Sequence, residues 1–463
     1  MQYIENRTFD ELSPGDTAEI ERVLTARDID LFAIVSGDVN PAHVDPEYAK
    51  DDMFHKVIAH GMWGGALISA VLGTELPGPG TIYVDQSLKF HRPVGIGDRV
   101  ITRVTVREKQ DKNRVILDCE CTNGGGATVI SGEATVIAPT EKVRRPRAEM
   151  PELHMHRAGE GYDRLIAMTR ALDPIRTAVV HPCDETALDG ACAAMKEDLI
   201  VPILVGPEAR IHAVAEEHGI DITGLEIINT KHSHDSAKKA VELVRAAKAE
   251  ALMKGALHTD EIMSAVVDKA TGLRTERRMS HVFALDVPTY PKTLLITDAA
   301  INIFPDLETK ADIVQNAIEL AHALGTPDPK VAILSAVETI YPKIPSTLEA
   351  AALCKMADRG QITGGTLDGP LAFDNAISKA AAETKGIVSP VAGDADILIA
   401  PDLEAGNMIA KQLMYLAGAE SAGIVLGARV PVMLTSRADG RLSRIASAAL
   451  AQLVVRHKTV AAE

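Results

Sequence analysis

Residues 36–45 read SGDVNPAHVD, a stretch that places an acid and an imidazole five positions apart around a proline. Asp38 precedes Asn40 and Pro41, two residues that favour turns and interrupt a helix, so we expect its carboxylate on a bend. His43 follows where the chain resumes a helical course. A carboxylate and a neutral imidazole at such a bend can share one water, one group accepting its proton while the other donates. The same pattern also fits a plain turn closed by an aspartate or asparagine side chain.

The segments that follow predict a sheet wrapped around one buried helix. IAHGM at 58–62 leads into a small, apolar helical run at 64–68. Four segments with strand-like alternation come next, the first within PGPGTIYVDQSLKFHRPVGIGDRV and the others near 99–109, 115–122 and 127–137. Alternation with a period of two indicates strands that bury one face. The first 140 residues are therefore predicted to form an α+β domain.

This amino-terminal region resembles the MaoC-like, (R)-specific enoyl-CoA hydratases, which have a hotdog fold. Their signature SGD-x-NP-x-H-x-D is matched at every specified position by the stretch quoted above. The resemblance implies that Asp38 and His43 add water syn across the double bond of a trans-2-enoyl-CoA, giving the (R)-3-hydroxyacyl thioester. It also implies a substrate-binding role for Asn40 and for Gly61, whose backbone N–H at a helix start would donate to the thioester oxygen. His60 fits a functional role and a simple cap or packing role equally.

Composition restricts the class of protein. The chain has 463 residues, enough for two or three domains, with the 46% hydrophobic and 24% charged residues of an ordinary globular protein. Its formal net charge of −16 disfavours a general binder of nucleic acid or anionic membranes. We find no stretch with the roughly 18 uninterrupted apolar residues of a membrane span, and MQYIENRTFDEL lacks the features of a signal peptide. We therefore expect a cytoplasmic protein.

Five cysteines are scattered along the chain, and an odd number argues against a disulfide framework. Cys119 and Cys121 alternate on one face of a predicted strand. Because no second pair of ligands accompanies them, we predict no metal site there or elsewhere. Thiols that stay free fit a reducing cytoplasm.

A change of composition separates two regions of the chain. Residues 138–157, APTEKVRRPRAEMPELHMHR, are rich in proline and charge and lack a sustained period, which is typical of a linker. We therefore predict domains at 1–140 and 161–463, joined by a linker at 141–160. A basic cluster in this linker either contacts the phosphates of coenzyme A or forms a solvated face, and it comprises Lys142, Arg144, Arg145 and Arg147.

The region beyond the linker alternates short apolar strands with amphipathic helices, such as those predicted at 234–249 and 310–324. Such alternation predicts an α/β domain with a mainly parallel sheet and helices on both faces. Ligands in this architecture collect at the carboxyl ends of the strands. The predicted strands lie at 177–181, 200–205, 226–229, 251–254, 293–297, 330–334, 397–400 and 430–434.

Loops at the ends of these strands carry Gly-rich turns, hydroxyls and an arginine, which together can hold a phosphate. They resemble the phosphate acetyl/butyryltransferase family over about 161–463. SPVAGDADILIAPDLEAGN at 389–407 is very close to that family's SPVAG-x-A-x-x-x-x-x-PDL-x-x-GN. DGPLAFDNAIS at 368–378 and KG-x-x-x-T at 254–259 point to its butyryltransferase-like branch. The resemblance implies a cleft between two α/β subdomains that takes acyl phosphate and coenzyme A, with no covalent intermediate.

The resemblance also implies roles for individual residues in this half. Ser436 and Arg437 align with the family's Ser-Arg pair, and Arg437 would hold the phosphate and the developing negative charge. Arginine suits this role because its planar fork matches phosphate oxygens. The motifs further imply that Lys254, Asp374 and Asn407 bind substrate. Coenzyme A thioesters and phosphate are substrates in this scheme, and we expect no cofactor.

Two departures from the family pattern leave the activity of this half open. Acetyl-specific members have an Asp six residues after the Ser-Arg arginine as a base for the thiol. Position 443 here is serine, and Asp439 is the nearest carboxylate. Those members also have an arginine where this chain has EIMS at 261–264. Candidates to substitute for it are Arg274, Arg277 and Arg278.

Three hypotheses therefore stand. Both halves are enzymes acting on acyl thioesters; or the hydratase half is active and the other half is a regulatory or oligomerising acyl-CoA module; or the hotdog half serves only dimerisation and binding. The intact pair of Asp38 and His43 argues against the third. Because both families self-associate, the resemblance also implies a homo-oligomer.

Overall fold

The computed structural model describes residues 3–148, 150, 159–435 and 440–462. The chain divides into two compact units, Met1–Glu152 and Leu153–Glu463, and the division falls inside the predicted linker. Within the described residues, no helix is long and apolar enough to cross a membrane. All five cysteines are free thiols, as their odd number predicts.

The amino-terminal unit is built from short and long strands around a small set of helices, with a 3₁₀ turn at Phe9–Glu11. Its elements are β1 (Tyr3–Glu5), β2 (Thr17–Val23), α1 (Ala26–Ser36), α2 (Pro41–Val44), α3 (Pro46–Asp51), α4 (Gly61–Thr74), β3 (Ile82–Phe90), β4 (Arg99–Lys109), β5 (Arg114–Asn123), β6 (Thr128–Ile137) and β7 (Arg144–Pro146).

Five of these strands form an antiparallel sheet in the order β2-β4-β5-β6-β3. Buried and exposed residues alternate along β4 and β5, so one face of the sheet is apolar. That face packs on α4, where Trp63, Ile68 and Leu72 share one buried cluster with Leu117 and Val104. Burying each such side chain contributes about 1.5–3 kcal/mol. The predicted hotdog architecture, a sheet around one helix, is confirmed.

The first part of the predicted linker belongs to this unit as a strand. β7 pairs antiparallel with β1. The Lys142 ammonium lies 2.9 Å from a Glu11 carboxylate oxygen, and the Arg144 guanidinium lies 4.5 Å from the centre of the Tyr3 ring. Two members of the basic cluster thus contact side chains of their own unit.

The carboxy-terminal unit alternates strands and helices over its described length. Its elements are α5 (Glu160–Thr169), β8 (Ile175–Val180), α6 (Glu185–Lys196), β9 (Ile200–Gly206), α7 (Glu208–His218), β10 (Glu226–Asn229), α8 (Ser233–Arg245), β11 (Ala251–Lys254), α9 (Thr259–Val266), β12 (Ser280–Asp286), β13 (Leu294–Thr297), α10 (Leu307–Ala323), β14 (Lys330–Leu334), α11 (Pro345–Asp358), β15 (Thr366–Leu371), α12 (Phe373–Ile377), α13 (Lys379–Thr384), β16 (Ile397–Ile399), α14 (Leu403–Leu416), β17 (Glu420–Leu426), β18 (Val432–Met433) and α15 (Arg441–Ala462).

The described strands of this unit form one sheet in the order β10-β9-β8-β11-β18-β17-β12-β13-β16-β14-β15. The mainly parallel sheet is confirmed, but the contacts of β17 with β18 and of β12 with β17 and β13 are antiparallel. Three reversals make β18 and β13 run in opposite directions. The carboxyl ends of the two parallel blocks therefore lie at opposite edges of the sheet.

The eight predicted strands all overlap observed strands, whereas β12, β15 and β17 were not predicted. β15 contains a Gly-Pro pair and β17 a glycine, and both residue types argue against a strand when only local sequence is considered. β12 and β17 complete the middle of the sheet. Tertiary hydrogen bonding to neighbouring strands overrides the weak local preference there.

Hydrophobic packing differs between the two faces of this sheet. On one face a single buried cluster extends from Ile175 on β8 to Ile397 on β16 and includes α10 and α15. On the other face there are two separate clusters. One joins β8, β11 and Val425 of β17 to α8 and α9, and the second joins Phe283 of β12 and β13 to α14. We call the boundary between these two clusters, which runs between β17 and β12, the seam.

Candidate functional site

The bend predicted at residues 36–45 is present in the amino-terminal unit. α1 ends at Ser36, and Gly37 caps it with a φ of 75°, a left-handed conformation that glycine adopts without strain. The Asn40 side chain accepts a hydrogen bond of 3.2 Å from the backbone N–H of Ala42 and so starts α2. Asn40 therefore shapes the turn, in addition to the substrate-binding role that the motif implies. Asp38 lies exposed on this bend.

The imidazole of His43 is held in one tautomer. Its Nδ1 lies 2.9 Å from the backbone carbonyl oxygen of Ile58. A carbonyl only accepts, so Nδ1 carries the proton and donates it. In the neutral imidazole, Nε2 then has a lone pair that can accept a proton. The backbone thus fixes the orientation of half-buried His43.

His60 lies directly behind this pair. It is only 2% exposed, and its Nε2 lies 2.9 Å from the backbone carbonyl oxygen of Asp38. Its ring centre is 4.0 Å from that of His43 and 5.0 Å from that of Phe32. The side chain does not cap α4. One potential metal-ligating atom from each of Asp38, His43 and His60 lies within 4.8 Å of the others. The absence of a metal remains a prediction.

A cavity of about 330 Å³ opens beside His43 and His60. Gly61 lies on its wall at the first position of α4, where backbone N–H groups have no acceptor within the helix. A Cβ at Gly61 would come within 3.0 Å of the Phe90 ring, so glycine keeps this wall open. The rest of the lining is mostly apolar and includes Trp63, Val100, Cys121, Val129 and Ile130.

The chemistry of this cavity follows from its lining. A thioester with a short apolar chain fits the apolar wall, and its carbonyl oxygen can meet the N–H of Gly61. Burial raises the pKa of the Cys121 thiol, which therefore stays protonated and acts as an apolar wall residue. His43 lines the cavity and Asp38 lies close to it, so the two can handle a water and its protons there.

In the carboxy-terminal unit, buried polar residues lie on the face of the sheet that contains the seam. Val282 and Ala284 of β12 belong to the continuous face, so His281 points to the opposite face, at the seam. His281 is 2% exposed and packs edge-on against Phe283, with ring centres 4.5 Å apart. A Cβ at Gly423 would come within 3.0 Å of its Nε2 and 2.9 Å of the Leu434 carbonyl oxygen.

The predicted residue Lys254 faces the same side of the sheet as His281. It is 5% exposed at the end of β11, and its Nζ lies 3.4 Å from the carbonyl oxygen of Thr435, which follows the neighbouring strand β18. Ser436, Arg437 and Asp439 lie outside the described residues, and they follow Thr435 directly in sequence. The structure thus places Lys254 beside the residue that precedes the Ser-Arg pair.

A second set of contacts surrounds Asp298, which follows β13 and is 2% exposed. Its carboxylate accepts hydrogen bonds from the backbone N–H of His281 at 3.2 Å and from the backbone N–H groups of residues 300, 301 and 302. The predicted residue Asn407 donates its side-chain amide to the carbonyl oxygen of Ala299 at 3.0 Å. Asn407 therefore holds this loop in place, and through it the main chain at His281.

The structure does not bring Asp374 to the seam. Asp374 follows β15, which is seven strand spacings of about 4.8 Å, roughly 34 Å, from β11. It also lies at the opposite edge from Lys254, because the two parallel blocks run in opposite directions. Asp374 pairs with Lys385 at 3.2 Å, and the Lys385 ammonium holds the pKa of that carboxyl below its usual range. Asp374 and Lys254 therefore belong to separate places in one unit.

The three candidate arginines have different environments. Arg277 pairs with Glu319 at 2.5 Å, and Arg274 donates its Nε to the carbonyl oxygen of Val267 at 2.5 Å. Arg278 is exposed and lies two residues before the start of β12 and three residues before His281. Of the three, Arg278 is the candidate nearest in sequence to the seam, and the other two are occupied elsewhere.

Ser443, which stands where acetyl-specific transferases have an Asp, lines a different cavity. This cavity has about 680 Å³ and lies between α5, α10 and the start of α15. Its walls include Tyr162, Leu165 and Leu450, and ion pairs such as Arg164 with Asp286 at 2.9 Å border it. Sequence reasoning missed both this cavity and His281. The only local signal for His281 was a histidine at the start of an apolar run.

Known proteins match each unit separately. Residues 230–452 match the family model described as "Phosphate acetyl/butaryl transferase", and residues 13–123 match "MaoC like domain". A phosphate acetyltransferase from Rhizobium meliloti is 63% identical over 300 residues, which cover 65% of this chain and 95% of the relative.

Two solved structures are similar to this chain, the first to the carboxy-terminal unit and the second to the amino-terminal unit. A branched-chain phosphotransacylase from Enterococcus faecalis is 31% identical and covers 61% of this chain and 99% of its own, with a TM-score of 0.54. An (R)-hydratase from Pseudomonas aeruginosa is 45% identical and covers 34% of this chain and 100% of its own, with a TM-score of 0.33.

Proposed function

Because the chain belongs to the phosphate acetyl/butyryl transferase family and carries a MaoC-like domain, we propose that it is a bifunctional acyl-CoA enzyme. The amino-terminal unit hydrates trans-2-enoyl-CoA to (R)-3-hydroxyacyl-CoA. The carboxy-terminal unit transfers an acyl group between coenzyme A and phosphate. Both reactions use coenzyme A thioesters, and neither needs a cofactor.

The observation that carries the hydratase proposal is the fixed tautomer of His43 beside Asp38, at the mouth of an apolar cavity. Nε2 of His43 accepts a proton from water as its oxygen attacks C3 of the enoyl thioester. Protonated Asp38 orients this water and gives its proton to C2, and the His43 imidazolium then returns a proton to the Asp38 carboxylate. The negative charge that develops on the thioester oxygen meets the N–H of Gly61. The hydroxyl group and the proton add to one face of the double bond because both groups stand on one bend.

The transferase proposal is supported by the 63% identity to a phosphate acetyltransferase and by the polar residues on the seam. The thiol of coenzyme A attacks the carbonyl carbon of the acyl phosphate, the C–S bond forms, the C–O bond to phosphate breaks, and the departing phosphate takes up the thiol proton. Arg437 holds the leaving phosphate, and Lys254 adds positive charge beside it. Acetyl is the acyl group that the relative's name favours, whereas the structural match at 31% identity is to a branched-chain enzyme.

Both activities can be measured on the intact chain. We expect hydration of crotonyl-CoA to give the (R)-3-hydroxy product, and we expect phosphate-dependent release of free thiol from acetyl-CoA. A panel of acetyl-, butyryl- and isobutyryl-CoA ranks the acyl groups. An (S) product rejects the proposed hydratase geometry. Binding of acyl-CoA without phosphate-dependent turnover supports the alternative, a hydratase with a non-catalytic acyl-CoA module.

We further propose that the chain forms homo-oligomers and works in the cytoplasm. β3 lies at an edge of the amino-terminal sheet and exposes Ile82 at 59%, so it offers an unpaired strand edge with apolar side chains. The carboxy-terminal unit exposes Phe304 at 79% and Tyr415 at 68%. These exposed apolar side chains are available to contribute to a self-association surface. The five free thiols fit a reducing compartment.

A further inference from the structure

His60 contacts both Asp38 and His43, the first through a ring nitrogen and the second through its ring. Its Nε2 donates a hydrogen bond of 2.9 Å to the backbone carbonyl of Asp38. Its ring face lies against His43, with centres 4.0 Å apart and planes tilted by 37°. Asp38 and His43 are separated by a proline and by a turn, so neither one fixes the position of the other through regular helix geometry.

We propose that His60 is a positioning residue that sets the distance between Asp38 and His43. The proposal rests on the hydratase function given above. The hydrogen bond fixes the main chain from which the Asp38 carboxylate projects. The stacked ring fixes the plane of the His43 imidazole. Without this contact, the imidazole could rotate about its hydrogen bond to Ile58, and the direction of Nε2 would change. A single side chain at the start of α4 therefore fixes the positions of both reacting groups.

The environment of His60 holds its side chain in one position. The ring is 2% exposed and is also packed against Phe32, at 5.0 Å between centres. Its bond to a carbonyl requires the proton on Nε2, which selects one neutral tautomer. His60 immediately precedes Gly61, the residue whose N–H faces the thioester oxygen. The two water-handling groups and the oxyanion donor are thus tied to adjacent residues of one chain segment.

Two substitutions separate the two contacts. His60→Phe keeps a ring against His43 and loses the donor to Asp38, whereas His60→Gln keeps a donor and loses the ring. A displacement of about 1 Å at reacting groups can cost about 100-fold in rate. We expect each variant to lower kcat for crotonyl-CoA hydration by about 10- to 100-fold, with KM within about threefold of the parent. A residue that only packs does not produce this split.

The matched control is His55→Gln. His55 is an exposed histidine in the same unit, and its Nδ1 contacts the Lys50 carbonyl oxygen. We expect parental kinetics for this variant. Trp63 is the single tryptophan, so its fluorescence reports whether this unit is folded, and kcat is divided by the folded fraction.

Parental kcat in either variant overturns the proposal, because the contact that the variant lacks is then dispensable. A loss that appears in KM alone, or unfolding of both variants, overturns it in favour of a binding or purely structural role. A parent without hydratase activity rejects the proposed function itself. An active parent with unaffected variants rejects only the role of His60.

Discussion

The contact between α4 and the sheet predicts that Gly64→Ala changes the free energy of unfolding in a direction that depends on the residue at position 130. An ideal Cβ at Gly64 would lie 2.3 Å from Cδ1 of Ile130 and 3.6 Å from its Cγ1. The first distance is an overlap, and the second is an ordinary contact. Gly64→Ala therefore conflicts with one methyl group, and Ile130→Val removes that methyl group.

The expected free energies follow from two opposing effects. Alanine is favoured over glycine inside a helix by about 1 kcal/mol. Overpacking a well-filled core costs about 1–3 kcal/mol, so Gly64→Ala alone should destabilise the unit by about 1 kcal/mol. In the Ile130→Val background the overlap is gone, and the same change should stabilise the unit by about 1 kcal/mol. The coupling of about 2 kcal/mol is within the range for residues in contact.

Urea unfolding of the full chain, followed by Trp63 fluorescence, measures these values. Trp63 is the single tryptophan and is 6% exposed next to Gly64, so its signal reports the amino-terminal unit and not its neighbour. We expect the midpoint to fall for Gly64→Ala, to fall modestly for Ile130→Val, and to rise when Gly64→Ala is added to Ile130→Val. An equal effect of Gly64→Ala in both backgrounds refutes the packing that the structure describes.

Three further outcomes are expected. Asp38→Ala and His43→Ala should each lower hydration of crotonyl-CoA by about 100- to 10,000-fold, and the double change should cost little more, because the two groups act as one unit; additive losses contradict this. Arg437→Gln should abolish phosphate-dependent thiol release from acetyl-CoA and leave hydration at the parental level, and retained transfer rejects its role. Ile82→Glu should lower the mass found by light scattering at micromolar concentration, whereas a monomeric parent refutes self-association.

Much of the amino-terminal site could be predicted because it is local in sequence. The bend depends on Gly37, Asn40 and Pro41, whose preferences act over a few residues, so the position of Asp38 and His43 was predictable. His60 lies 17 residues after His43, and its choice between packing and function depended on tertiary contact. The stack of the two rings and the hydrogen bond to Asp38 form only when α4 docks beside the bend.

In the carboxy-terminal unit, the alternation of strands and helices could be predicted from the amino-acid sequence, because burial of apolar residues leaves a periodic pattern that can be counted. The sequence also identified the motifs around Lys254, Arg437 and Asn407. The directions of the strands, and which strands are adjacent in the sheet, depend on the tertiary structure. The antiparallel strands β12 and β17 reverse the sheet at its centre, separate Asp374 from Lys254, and place His281 on the seam. Hydrogen bonds between strands that are distant in sequence determine these relations, and a local pattern carries no record of which partner a strand will have.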